Sequence, residues 1–339
     1  MKPYLSIIIP YHNSPAHLVR LLGSIKKSVK PPSYEVVVVD DGSNPSLKSF
    51  SSTLKWDRSH MFHVVTLGHN YGPAIARNRG VANAKGKFVV FLDGDVEVFP
   101  DTLAQIAKVF TSDPDVVALT GVWVKEQKSR DFFPNYKALR DWSYWINERD
   151  KSGYYFLFST RIASIKRSVF LRLGGFNETY PAPLVEDIEL TYRIARRYAI
   201  IFAPHVRVRH EFEQFWPIAK KYFLRAYYWT KLYTKRKKFD PVATTLQEAI
   251  VTLSGVGVIT LLVTTSIALI ATLGSVTLPI IVLIYALGVT FIVHLWLTRK
   301  FLSFVYQEKG MVFMMKSFIT GLMLNCFIFS GAVIGKFTQ

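Results

Sequence analysis

Four short and almost wholly apolar runs punctuate the first hundred residues: LSIIIP at 5–10, YEVVVVD at 34–40, HVVTL at 63–67 and KFVVFLD at 87–93. Their β-branched content and bounding turn residues predict strands. Between them lie Pro15–Val29, Pro73–Ala84 and Pro100–Phe110, each with a proline near its start, which suits a first helical turn. The strands are apolar along their length rather than alternating, so both faces of their sheet are covered. Alternation with helices over residues 1–198 predicts an α/β domain with a Rossmann-like, mostly parallel sheet.

The pattern then changes twice. Residues 212–239 interleave Phe212, Phe215, Trp216, Tyr222, Phe223, Tyr227, Tyr228, Trp229 and Tyr233 with Lys220, Lys221, Arg225, Lys231 and the run Lys235-Arg236-Lys237-Lys238. Aromatics mixed with cations suit helices lying in a lipid headgroup layer; a solvated basic face and a nucleic-acid surface are the competing readings. The hydrophobic segments that follow favour lipid. From Ala249 to Thr298 there is no Asp, Glu, Lys or Arg, a length that suits two membrane spans with Gly274-Ser275 and Pro279 between them. A further uncharged stretch, Ser317 to Gly335, is bracketed by Lys316 and Lys336. The expected division is a domain at 1–211, interfacial helices at 212–247, and a membrane region at 248–339 with spans near 249–273, 277–297 and 315–336.

Charge orients this arrangement. The chain of 339 residues is half hydrophobic yet carries a formal net charge of +18. Basic residues flank the first span on its N-terminal side, follow the second and precede the third, while the loop between the first two has none. The positive-inside rule then predicts a cytoplasmic N-terminal domain on a multi-pass protein of the cell membrane. The start of the chain shows no signal peptide, which agrees. The lone Cys326 excludes an intrachain disulfide and multi-cysteine zinc sites.

Open parallel sheets bind ligands beyond the carboxyl ends of their strands. Here those ends are acidic: VVVVD runs into Asp41-Gly42-Ser43, and FVVFLD into Asp93-Gly94-Asp95. Carboxylates repel phosphate directly, but they suit a divalent cation that holds a diphosphate, or hydrogen bonds from a ribose or base. An isolated Asp-Gly-Asp is usually a turn. A second acidic strand end makes it a candidate site. No G-x-G-x-x-G follows the first strand and no G-x-x-x-x-G-K-[ST] occurs, which disfavours a dinucleotide dehydrogenase and a P-loop NTPase.

SIIIPYHN, VVVVDDGS, GPAIARNRGVANAKGKFVVFLDGD and LGGFNE followed by VEDIELTYRI resemble, in order and spacing, the family 2 glycosyltransferases of GT-A fold over about residues 4–210. The resemblance implies an inverting enzyme that uses a nucleotide sugar (UDP-, GDP- or dTDP-linked) and Mn²⁺ or Mg²⁺. It implies that Pro10 and Tyr11 line the base, Asp41 bonds the base N–H, and Arg77 approaches the diphosphate or base. Asp93 would sit by the ribose or share the metal, Asp95 would bind the metal and His210 would be a third ligand. Asp187 would be the catalytic base, with Glu186 orienting the acceptor or tuning its neighbour. The competing readings are an acidic first helical turn for Glu186, Asp187 and Glu189, a surface charge for Arg77 and a structural His210. His12 and His69 are read as incidental. Aromatics at 121–158, including Trp123, Trp142 and Trp145, suit an acceptor sugar or lipid tail, or packing against the later helices.

A general base serves a hydroxyl acceptor more than an ionised lipid phosphate. No Gln-x-x-Arg-Trp block of the processive synthases is present. The expected reaction is therefore addition of one sugar to a hydroxyl of a lipid-linked saccharide or glycolipid, with anionic lipids as further partners and no nucleic acid. A polyprenyl-phosphate glycosyltransferase, a non-catalytic membrane scaffold and a nucleotidyltransferase are the alternatives.

Overall fold

A computed structural model of the chain describes residues 2–49, 61–148, 155–180, 185–240 and 244–338. In chain order the elements are β1 (Leu5–Tyr11), α1 (Pro15–Lys26), β2 (Tyr34–Asp41), β3 (Met61–Leu67), α2 (Pro73–Asn83), β4 (Phe88–Leu92), β5 (Val96–Val98), α3 (Thr102–Ser112), β6 (Ala118–Trp123), α4 (Phe132–Ile146), β7 (Ile162–Lys166), α5 (Arg167–Arg172), α6 (Glu186–Ala195), β8 (Ile200–His210), α7 (Phe215–Arg236), α8 (Leu246–Ala271) and α9 (Leu278–Phe337). They fall into two compact units, Met1–Arg130 with Asp150–Phe212, and Asp131–Arg149 with Glu213–Gln339.

The first unit is built on one eight-stranded sheet of order β3-β2-β1-β4-β7-β6-β8-β5. The strands β3, β2, β1 and β4 are parallel, as their unbroken apolar runs predict. Beyond β4 the sheet is mixed: β7 is antiparallel to β4 and β6, β6 is parallel to β8, and β5 is antiparallel to β8. Burial matches composition in β2 and β4, every residue of which is buried, whereas β3, at the edge of the sheet, is only partly covered, contrary to the expectation for its apolar run. Helix α2 packs tightly on β1, because a Cβ on Gly80 would lie 2.5 Å from Ile8 Cγ2. One buried charge secures the opposite end of the sheet from the acidic turns. Glu35, fully buried, accepts hydrogen bonds from Ser6 Oγ and from the backbone N–H groups of Lys85 and Gly86. These bonds tie β1, β2 and the approach to β4 together.

The second unit is helical, and α4 belongs to it although it lies between β6 and β7 in sequence. Phe133, Tyr136 and Leu139 on one face of α4 form a core with Ile218, Ala219, Phe301, Leu302, Val305 and Leu324. Near its C-terminal end α9 lies close against the backbone of α7. A Cβ on Gly331 would stand 2.1 Å from Phe223 O, and one on Gly335 2.5 Å from Tyr227 O. Thr245 and Glu248 close a reciprocal capping box at the start of α8.

Two described helices, Leu246–Ala271 and Leu278–Phe337, are long and apolar enough to cross a membrane. Large apolar side chains point outward from both, among them Leu253, Ile270, Ile281 and Ile292. The expected stretches near 277–297 and 315–336 both lie within α9, which is interrupted at Gly310 (φ 80°, ψ −179°). Charged residues from Arg299 to Lys316 separate the two apolar stretches.

Candidate active site

The adjacent parallel strands β2, β1 and β4 carry their carboxyl ends side by side, which gathers Pro10, Tyr11, Asp40, Asp41 and Asp93. Asp40 and Asp41 are neighbours with different tasks. The Asp40 carboxylate faces its own turn and accepts from Ser43 N (3.0 Å), Ser46 Oγ (2.9 Å) and Leu47 N (2.7 Å). Burial pushes its pKa up, but these hydrogen bonds outweigh burial and hold it below the ordinary carboxylate value. A depressed folded-state pKa stabilises the fold above the unfolded pKa, and that stability is lost as pH falls through the folded value. Asp40→Asn is therefore expected to lose about 3 kcal/mol at neutral pH, with the gap to the native chain closing in acid. Denaturant melts at several pH values check this, and a gap constant with pH would refute it.

Asp41 instead reaches the loop before α2, where Oδ1 accepts from Tyr71 N and Oδ2 from Gly72 N, both at 2.8 Å. The two loops touch so closely that a Cβ on Gly42 (φ +68°) would lie 2.3 Å from the backbone carbon of His69. His12, which the sequence left without a role, joins β1 to β2 by a 2.8 Å contact from Nδ1 to Asp41 O. Gly94 lies under Pro10, with a notional Cβ 3.4 Å from the Pro10 carbonyl oxygen.

Arg77 is the connecting residue of the site. It is 2% exposed and donates from one guanidinium nitrogen to Asp93 Oδ1 (2.7 Å) and from the other to Glu186 Oε1 (2.9 Å). Burial disfavours its charge, but the two carboxylates more than restore it, so its pKa lies above the ordinary value. The guanidinium also sits 5.5 Å from the centre of the Phe176 ring. The sequence suggested a diphosphate or base contact for Arg77; the structure places it between the turn after β4 and the first residue of α6.

Asn78, next in the chain, was not singled out by the sequence. Its side chain brackets the glycine-rich turn before α6: Nδ2 donates to Phe176 O and Oδ1 accepts from Phe176 N, both at 2.9 Å. Gly175 (φ +69°) has no room for a Cβ there, since one would fall 2.5 Å from Asn78 Oδ1. The pairing of Ala-Arg-Asn with Gly-Gly-Phe-Asn was the available signal. Glu186 is buried, whereas Asp187 beside it is half-buried, with Oδ1 accepting from Ile188 N at 2.8 Å.

The antiparallel register Val96↔His210 brings His210 beside Asp95, and His210 Nε2 lies 3.4 Å from Asp95 Oδ2. His210 Nδ1 is buried and has no hydrogen-bond partner among the described residues. Next to this pair Glu97 meets Arg20 (3.0 Å), Arg209 (3.6 Å) and Lys128. Among the described residues no group of three or more His, Cys, Asp or Glu side chains is placed to hold a metal by itself.

The three tryptophans are divided. Trp123 is buried on β6 in the first unit, with the Arg161 guanidinium 4.4 Å from its ring centre. Trp142 and Trp145 belong to the second unit, where Trp142 stacks on Phe304 and Trp145 meets Tyr144 edge-on.

An eight-stranded mixed sheet with acidic turns at its strand ends is a GT-A-like glycosyltransferase fold. A mannosyltransferase of Pyrobaculum calidifontis, solved with GDP-Man and Mn²⁺, shares it with TM-score 0.58 at 19% identity, covering 100% of this chain and 88% of that one. Residues 6–173 match the model of the Glycosyl transferase family 2. A validoxylamine A glucosyltransferase of Streptomyces hygroscopicus subsp. limoneus is 29% identical over 243 residues, 62% of this chain and 53% of the relative. An undecaprenyl-phosphate 4-deoxy-4-formamido-L-arabinose transferase of Serratia proteamaculans is 28% identical over 135 residues, 37% of this chain and 41% of the relative. The chain spans about half or less of the length of these two relatives.

Proposed function

We propose that the protein is an inverting, metal-assisted glycosyltransferase that moves one sugar from a nucleotide sugar to a lipid-linked acceptor at the cytoplasmic membrane face. The observation that carries this is Arg77, which joins the Asp93-Gly94-Asp95 turn to the Glu186-Asp187 helix start. A donor-binding turn and a carboxylate-bearing helix are thereby held in one site.

Asp95 and His210 fit a divalent cation: the carboxylate suits Mg²⁺ or Mn²⁺, and the imidazole nitrogen favours Mn²⁺ of the two. Their 3.4 Å separation is near the roughly 3 Å between adjacent ligands of an ion held at about 2.1 Å. Two protein ligands leave positions for substrate phosphate and water, the usual habit of Mg²⁺. Such an ion, when bound, stabilises the charge that grows on the departing diphosphate. Asp93 is engaged by Arg77 through Oδ1, which orients it along the donor. Of the three carboxylates of this turn, Glu186 is buried against Arg77 and Glu189 is paired with Arg193 at 2.6 Å, which leaves the half-buried Asp187 as the candidate base. In the proposed step the acceptor hydroxyl oxygen bonds to the anomeric carbon from the face opposite the nucleotide. The bond from that carbon to the diphosphate oxygen breaks with its electron pair, and the hydroxyl proton passes to Asp187. Pro10, Tyr11 and Asp41 flank the nucleotide, although Asp41 also braces Tyr71 and Gly72.

The outward apolar faces of α8 and α9 support membrane attachment, with α9 contributing two spans on either side of Gly310 and α7 lying at the interface. The Serratia relative, named for an undecaprenyl-phosphate acceptor, favours a second reading in which the sugar goes to a lipid phosphate. Thermal denaturation with each nucleotide sugar, with and without Mn²⁺, tests the donor site. One donor with metal is expected to raise Tm by several degrees, about 3 kcal/mol at a hundredfold excess over Kd. A Tm indifferent to every donor and metal would remove the proposal.

A further inference from the structure

A groove of about 560 Å³ in the helical unit is lined by Asn147 at the end of α4 and by Arg299, Lys300, Ser303, Phe304 and Gln307 of α9. The α9 residues recur at spacings of one, four, five and eight from Arg299, a single helical face over two turns. The polar lining consists of a guanidinium, an ammonium, a hydroxyl and two carboxamides, and no carboxylate is among the lining residues. A compact anion with several oxygens satisfies such a set. Phe304 stacks on Trp142 with ring centres 5.4 Å apart at 17°, giving the groove a firm apolar wall. Arg299 is steadied over Trp296, 4.2 Å from the ring centre, and donates to the Trp296 carbonyl oxygen.

Position along α9 decides the kind of anion. Leu278 to Thr298 carries no charged residue. At 1.5 Å per residue that run is about 31 Å long, close to the thickness of a bilayer's hydrocarbon core. Arg299 and Lys300 therefore fall where lipid phosphates lie. Trp296 and Tyr306 on either side are exposed, as aromatics of the headgroup belt are. The C-terminal dipole of α4 opposes an anion, but its roughly half charge is set against two full cations.

We infer that this groove binds the phosphate headgroup of an anionic membrane phospholipid. The phosphate sits between Arg299 and Lys300, the polar side chains of Ser303, Gln307 and Asn147 take the remaining headgroup oxygens, and Phe304 walls the headgroup on the side of Trp142. The inference rests on the membrane attachment proposed above and not on the transfer reaction.

The test is lipid titration of the detergent-solubilised full chain, read by native mass spectrometry. Phosphatidylglycerol is expected to bind about tenfold more weakly to Arg299→Gln/Lys300→Gln than to the native chain. Phosphatidylcholine binding should not change. Ser303→Trp, which fills the groove without altering charge, should cause the same loss at unchanged Tm. Lys235→Gln/Lys237→Gln removes equal charge elsewhere and should leave binding within about twofold. Equal loss in that control pair would mean diffuse attraction, and full binding by Ser303→Trp would place the lipid elsewhere; either overturns the inference. So would a polyprenyl phosphate or inorganic phosphate that occupies the groove where phosphatidylglycerol does not. Failure to bind any lipid would remove the membrane attachment as well, while release of nucleoside diphosphate reports on transfer separately.

Discussion

Asp187→Asn is expected to lower kcat by roughly a thousandfold while changing the KM for the donor little. The substitution keeps shape and removes the proton acceptor. It leaves the Arg77 bridge untouched, since that bridge ends on Glu186. The measurement is nucleoside diphosphate release in the presence and absence of a hydroxyl acceptor. A drop confined to the acceptor-dependent rate identifies a base for the incoming hydroxyl. If Asp187→Asn transfers at the native rate to a lipid phosphate, no base is needed and the second reading replaces the first.

Arg77→Ala is expected to cost about 4 kcal/mol, because it strands Glu186 as a buried carboxylate with its cation removed. For a unit of this size that corresponds to a fall in Tm of roughly 10 °C. Arg77→Lys keeps the charge but not the fork, and one ammonium cannot reproduce two separated N–H contacts. Its Tm should fall less, yet kcat should still drop by at least tenfold, since Asp93 and the start of α6 lose their common support. Donor KM should rise in the same variant. A purely structural Arg77 gives a different pattern: Arg77→Lys would keep native kcat and KM once folded. That result would undo the role assigned here.

The sequence was informative where a single run carries the signal. The apolar stretches of β1, β2 and β4 are each continuous, and those of β2 and β4 run into Asp-Gly turns, so both the strands and these two acidic ends could be read directly. Proline marked the starts of α1 and α2 to the residue. Partnership over distance could not be read. Arg77 and Glu186 are 109 positions apart, and nothing local in Ala-Arg-Asn names a carboxylate as its target. The closeness of Asp95 and His210 depends on an antiparallel register between a three-residue strand and the last strand, which no periodicity encodes. The end of the parallel order at β7 is similarly invisible, because IASIK pairs with β4 and β6 through backbone groups that every residue has. His12 and Asn78 share a lesson: short polar side chains beside strand ends and glycine turns hold loops together, and their targets are backbone atoms.

The place of α4 in the chain has a consequence for the order of folding. Its apolar face, with Phe133, Tyr136 and Leu139, is synthesised well before the residues it packs against, Ile218, Phe301 and Leu324. On the ribosome, therefore, the sheet can assemble strand by strand while this helix waits, hydrophobic and unpartnered, for the C-terminal helices to emerge. A nascent chain stalled after Phe212 would present that face to chaperones, and release of the last helices would withdraw it. Completion of this core thus waits for residues between Ile218 and Leu324, long after the acidic turns have been translated.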